Sequence, residues 1–202
     1  MGKARRILGI DPGTNVMGYS ILDVDGNHAE VVVLGTVQMG RVADHYARLK
    51  RIFDRINVII GEFEPQELAI EAPFCGKNVQ TMLKLGRAQG VCMAAALAHG
   101  MPVSEYAPMR VKQAITGNGA ATKEQVANML QKMLRFADIP KFLDATDALA
   151  IAYCHFMTAR VQGLTAGADT GGGVKIPRGA SKASSSSWED FLRQNPDRVK
   201  TN

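Results

Sequence analysis

The chain has 202 residues and a mass of 21.8 kDa, room for one domain of ordinary size and an appendage. Apolar residues at 46% and charged residues at 21% exclude a chain that is disordered, collagenous or coiled-coil throughout. No apolar run approaches the ~18 residues of a membrane span, and the net charge of +5 is compatible with a polyanionic partner without requiring one.

Three strands are expected first. Arg6–Ile10, Met17–Val24 and Glu30–Gln38 are rich in Ile, Val and Leu and are separated by Asp-Pro-Gly and Asp-Gly-Asn turn signals, which predicts a meander. From Ala43 to Phe63 the residues Tyr46, Leu49, Phe53, Ile56, Ile60 and Phe63 recur at steps of three and four, an amphipathic helix that Pro65 stops. Glu67–Glu71 reads as a short strand, Lys77–Ala98 as a helix, Pro102–Tyr106 as a fifth strand, and Lys123–Leu134 and Asp144–Arg160 as helices. This order predicts an α/β fold, a mixed five-stranded sheet flanked by helices on both faces.

Seventeen of the twenty-five residues from 163 to 187 are Gly, Ser, Ala or Thr. Residues 1–160 are therefore expected to form the domain and residues 161–202 a flexible basic tail. Cys75, Cys92 and Cys154 are odd in number and contain no C-x-x-C pair, so neither a disulfide framework nor a zinc cluster is indicated. With no export signal in Met-Gly-Lys-Ala-Arg-Arg, a cytoplasmic protein is expected.

Four acids stand out only in combination. Asp11 precedes Pro12-Gly13, which is good turn chemistry by itself, and Glu71 ends a strand. Asp144 and Asp147 open the last helix, where acids satisfy free backbone N–H groups. If the first and fourth strands are parallel neighbours, however, Asp11 and Glu71 emerge together at their carboxyl ends, where open α/β sheets place ligand sites. Asp144 and Asp147, three apart, can share one helix face. Unit charges ~4 Å apart repel by roughly 4 kcal/mol per pair at an effective dielectric near 20. Such a cluster implies divalent cations or shifted protons. Ligands that are all oxygen suit Mg²⁺ or Mn²⁺, and two such ions ~4 Å apart support in-line phosphodiester hydrolysis.

Four separated stretches then carry a resemblance: Ile10-Asp11-Pro12-Gly13-Thr14; Ala69-Ile70-Glu71 with Phe74 three positions on; Leu83-Lys84-Leu85-Gly86-Arg87-Ala88-Gln89-Gly90; and Asp144-Ala145-Thr146-Asp147-Ala148-Leu149-Ala150. In this order, from about Arg6 to about Arg160, the chain resembles the RuvC family of Holliday junction resolvases. The resemblance implies a ribonuclease H-like fold and a homodimer. It implies paired symmetric nicking of four-way DNA junctions during recombination and repair, with a branch-migration complex of the RuvA and RuvB type as partner. It assigns the catalytic, metal-binding acids to Asp11, Glu71, Asp144 and Asp147, with Mg²⁺, two ions per site, as cofactor and Mn²⁺ as substitute.

The same resemblance implies that Lys112 and Lys123 hold DNA phosphates or support transition-state charge, although Thr122 and Gln125 beside Lys123 also form a helix-capping pair. Lys77, Lys84 and Arg87 share one helix face, a basic stripe able to follow a backbone, with Val79, Met82 and Leu83 on the other. Phe74, in a loop, is expected to stack on or separate bases. His155, off the Asp147 face, is expected to be structural. Asp11-Pro12-Gly13-Thr14 also resembles an ATPase phosphate loop, but the chain is too short for the two lobes and second phosphate loop such an enzyme needs; two other readings stay open, a ribonuclease H-like nuclease acting on hybrid or single strands and a junction-binding protein without cleavage.

Overall fold

Five strands and five helices follow one another in the computed structural model, which describes residues 5–72, 78–136 and 142–167, with side chains as far as residue 161. All of them lie in one unit, Met1–Gly167. The order is β1 (Arg5–Asp11), β2 (Val16–Asp25), β3 (His28–Gln38), α1 (His45–Phe63), β4 (Glu67–Glu71), α2 (Val79–Ala98), β5 (Val103–Tyr106), α3 (Pro108–Thr116), α4 (Lys123–Leu134) and α5 (Asp144–Gly167).

The sheet runs β3-β2-β1-β4-β5. β1, β2 and β3 form the expected antiparallel meander, and β4 and β5 add in parallel to β1. Strand alternation sorts side chains to two cores. Leu8, Ile10, Leu68 and Ile70 meet Ile52, Ile56 and Ile59 of α1 and Ala88, Cys92 and Ala95 of α2. Ile7 and Ala69, one residue out of phase, meet Val111 of α3, Val126 and Leu130 of α4, and Leu149, Ala152 and Phe156 of α5. Helices therefore cover both faces, and no helix of the described residues is long and apolar enough to cross a membrane. Cys92 and Cys154 are buried and unpaired.

Helix ends follow local chemistry. Asp44 caps α1 by accepting from the Ala47 amide at 2.7 Å, and the chain leaves α1 through Glu64 in the left-handed region. Thr122 and Gln125 form a reciprocal capping box on α4.

Four expectations are corrected. The face of α1 that meets the sheet carries Ile52, Ile56, Ile59 and Ile60, whereas Tyr46 and Phe53 are 71% and 44% exposed. Both apolar stripes satisfy the helical period, and only contact with the sheet selects one. α3 is a helix that the expected elements do not include, although Pro108 at its first turn and Gly117 just past its end are start and stop signals. The first turns of α2 bury little: Val79 and Leu83 are 63% and 52% exposed, and the helix buries its residues from Ala88 onward. Finally, α5 continues to Gly167, past the expected end at Arg160. The expected tail otherwise lies outside the described residues, as do Phe74, Cys75 and Lys77.

Candidate active site

Strand parity places the first two acids. The parallel ladder pairs Ile10 with Ile70, so the next residues, Asp11 and Glu71, leave adjacent strand ends on the face covered by α5. Past that rung the β1–β4 ladder stops, and the Glu71 carbonyl is held instead by the buried Gln89 side chain of α2, whose Nε2 donates to it at 3.1 Å. The same nitrogen donates to Glu105 at 3.0 Å. The next amide, that of Ala72, donates to the Tyr106 carbonyl at 2.9 Å.

The second pair of acids arrives because α5 lies directly on the sheet. A Cβ on Gly9 would fall 2.2 Å from the Ala148 carbonyl oxygen, and Gly18 is equally tight against the start of α5. Ala145, Ala148 and Ala152 on the helix keep that approach short. One carboxylate oxygen from each of Asp11, Asp144 and Asp147 can be chosen so that all three lie within 4.8 Å of one another. Asp11, Glu71 and Asp147 line one crevice of about 200 Å³ with Pro108, Val111, Lys112 and Lys123.

The electrostatics follow from this crowding. Burial, then the charges of Glu71 and Asp147, push the Asp11 carboxyl up to about 8. Burial and the Asp147 charge raise Glu71. Burial also raises Asp147, outweighing its ion pair with Lys123. For Lys123, burial opposes the charge, but the hydrogen bond it donates to Asp147 and the charges of Asp147, Asp11 and Asp144 leave its pKa raised. Lys112, on the unforeseen helix α3, adds a second cation that lowers Glu71 and Asp147.

The donor set fits a hard divalent cation: it is all oxygen, drawn from β1 and α5, and its mutual repulsion is what a bound cation would relieve. The expected acids and Lys112 and Lys123 thus meet in one place. Lys84 and Arg87 are exposed on α2 outside the crevice. His155 takes no part; it is buried, bonded through Nδ1 to the Tyr106 hydroxyl at 2.7 Å and through Nε2 to Glu67. Two supporting residues were missed. Gln89 stood within the Leu83–Gly90 stretch, and its signal was a polar side chain among small apolar ones. Arg48 of α1 pins the loop after Asp11 by donating to the Thr14 carbonyl at 3.1 Å and the Asn15 side chain at 2.6 Å, and nothing local announced it.

Comparison with known proteins agrees with this geometry. A family model described as crossover junction endodeoxyribonuclease RuvC matches residues 7–155. The crossover junction endodeoxyribonuclease RuvC of Porphyromonas gingivalis is 54% identical over 201 residues, covering 98% of each chain. That of Bacteroides fragilis is 51% identical over 200 residues, covering 98% of this chain and 97% of the relative. Among solved structures, Thermus thermophilus RuvC in complex with Holliday junction substrate superposes with a TM-score of 0.73 at 34% identity, covering 78% of this chain and 96% of that one.

Proposed function

The chain belongs to the RuvC family of crossover junction endodeoxyribonucleases, and from that premise we propose that it resolves four-way DNA junctions by Mg²⁺-dependent hydrolysis of opposed strands. The observation that carries the proposal is the convergence of Asp11, Glu71 and Asp147 with Lys112 and Lys123 on one crevice, with Asp144 beside Asp11 and Asp147.

Asp11, Glu71, Asp144 and Asp147 are the residues that would hold two Mg²⁺ ions, with Mn²⁺ an acceptable substitute on the same oxygen chemistry. When bound, the ions would neutralise the acids, activate the attacking water and stabilise the leaving oxygen. The rest falls to the chain. Burial and the neighbouring acids raise the Asp11 carboxyl to about 8, so Asp11 would release a proton as a cation is taken up. Gln89 fixes the backbone that aims Glu71. Lys123 orients Asp147 and, with Lys112, offers charge to the phosphate under attack. Lys84 and Arg87 follow the strand outside the crevice, continued by Lys77, and Phe74 separates or stacks on bases at the crossover.

A homodimer supplies the second cut, and an exposed face of α2 favours one. Val79, Leu83, Gly86, Gly90 and Leu97 lie along one side of the helix, apolar or small and uncovered among the described residues. Two-fold symmetry in the enzyme matches two-fold symmetry in the junction. The setting is the cytoplasm, beside a RuvA and RuvB type branch-migration complex, with residues 1–160 as the nuclease domain followed by a basic tail. The test is incubation with end-labelled four-way junction, plain duplex and RNA:DNA hybrid, each with Mg²⁺ and with chelator. Paired symmetric nicks on the junction alone, lost with chelator, are expected; equal cutting of duplex or hybrid would overturn the assignment.

A further inference from the structure

Beside the loop that follows Asp11 lies a second feature, larger in volume, that the crevice does not include. Thr14, Asn15, His45, Arg48, Thr81 and Lys84 line a polar cavity of about 310 Å³. Its chemistry is one-sided. Among the described residues, every polar lining side chain can donate a hydrogen bond, two carry fixed positive charge, and no carboxylate lines the cavity. Neither Arg48 nor Lys84 pairs with an acid among the described residues. The imidazole Nε2 of His45 is buried with no hydrogen-bond partner there. A buried ring nitrogen left unpaired is unfavourable unless a ligand takes it up.

The cavity is also rigidly tied to the cleavage site. The loop from Asp11 to Asn15 spans at most about 14 Å when extended. Arg48 holds it from α1 at Thr14 and Asn15, and the Met39 amide holds the Asn15 carbonyl at 2.8 Å. A strand lying in the crevice would reach the cavity along that loop. Resting on the nuclease assignment above, we propose that this cavity, built from Asn15, His45, Arg48, Thr81 and Lys84, is a subsite for a backbone phosphate of the DNA strand flanking the one cut. It sets where the strand sits relative to Asp11.

Thr81→Glu tests it cleanly. The residue is exposed, its amide is already capped by Asn78 at 3.1 Å, and an acid at this third helical position favours the helix. The control is Gln80→Glu, the same charge one residue earlier and outside the cavity. With cleavage blocked by chelator, Thr81→Glu is expected to weaken junction binding at least about tenfold and Gln80→Glu less than about threefold. Lys84→Gln is expected to flatten the dependence of log affinity on log salt by about one unit in the wild-type background and by nothing further in Thr81→Glu, because both act on one phosphate. If Thr81→Glu melts below wild type, Asn15→Asp brings the same charge from the loop side and carries the comparison. Equal losses from the two glutamates, or additive slopes, overturn the subsite. Competition by inorganic phosphate without any effect of Thr81→Glu on DNA would assign the cavity to a free anion and overturn it too. Failure of the unaltered chain to bind junctions would instead strike the nuclease assignment.

Discussion

A Cβ placed on Gly18 would sit 1.9 Å from the carbonyl oxygen of Asp144, so this strand glycine is what allows the start of α5 to lie against the sheet. The obstacle is backbone, which cannot swing aside. Gly18→Ala is expected to lose at least the ~1 to 3 kcal/mol of an overpacked core, measured by chemical denaturation, and to lose cleavage even where it remains folded, because Asp144 and Asp147 are displaced together. Gly61→Ala, an exposed helical glycine with open space around it, is expected to gain about 0.5 to 1 kcal/mol. Equal effects from the two would separate the close approach from the catalytic geometry.

Asp11→Asn keeps the shape of the side chain and removes the charge that its neighbours oppose. Cleavage is expected to fall more than about a hundredfold, junction binding in chelator to stay within a few-fold, and the melting temperature of the metal-free protein to hold or rise. A lower melting temperature would mean that Asp11 serves the fold.

The raised Asp11 carboxyl gives stability a definite slope with pH. Its folded value, about 8, lies above its ordinary value of 3.8, so between these the folded chain binds the extra proton. The stability it contributes is complete below about 4 and disappears as pH rises through about 8. Glu71 and Asp147, also raised, act in the same direction. Thermal melts without metal should therefore fall across this window, and saturating Mg²⁺ should flatten the trend. Apparent Mg²⁺ affinity should climb by about tenfold per pH unit below 8, since one proton leaves as the cation enters. A pH-independent affinity would remove Asp11 from the ligand set.

Lys123 competes for the oxygens that a cation would use. It pairs with Asp147 and is half exposed, so Lys123→Met frees Asp147 without leaving a large void. Calorimetry is expected to show tighter Mg²⁺ binding in the variant while cleavage drops by about 10- to 100-fold. Weaker binding would mean that Lys123 serves chiefly to organise Asp147.

Gln89→Leu removes the side chain that donates to the Glu71 carbonyl beyond the end of the β1–β4 ladder. The cutting rate of bound junction is expected to fall severalfold with junction affinity unchanged. Parallel loss of affinity would place Gln89 in the DNA-binding surface.

Much of this site was legible in the chain. Asp11, Glu71, Asp144 and Asp147 each stand where a strand ends or a helix starts, and those boundaries are written in local signals: Pro12-Gly13 after β1, the run Leu68-Ala69-Ile70 before Glu71, and the acids themselves at the start of α5. Alternation along β1 and β4 then forces Asp11 and Glu71 onto one face once the strands pair in parallel. Lys123 is singled out only by the family resemblance; the capping box beside it is a local signal for the start of α4 and not for the site.

What local pattern could not supply is everything decided between distant segments. The period of α1 permits Tyr46 and Phe53 as readily as Ile52 and Ile59 to face inward, and only the sheet beneath chose the isoleucines. Gly9 and Gly18 read as unremarkable strand glycines until the backbone of α5, more than a hundred residues away in sequence, came to rest on them. Arg48, His45 and Thr81 carry no motif at all, and they form a cavity because α1 and α2 pack side by side above the loop after Asp11. Periodicity and capping act over a few residues and survive in any local window. Close approach, burial and shared charge depend on which surfaces meet, and that is settled by packing the whole domain at once.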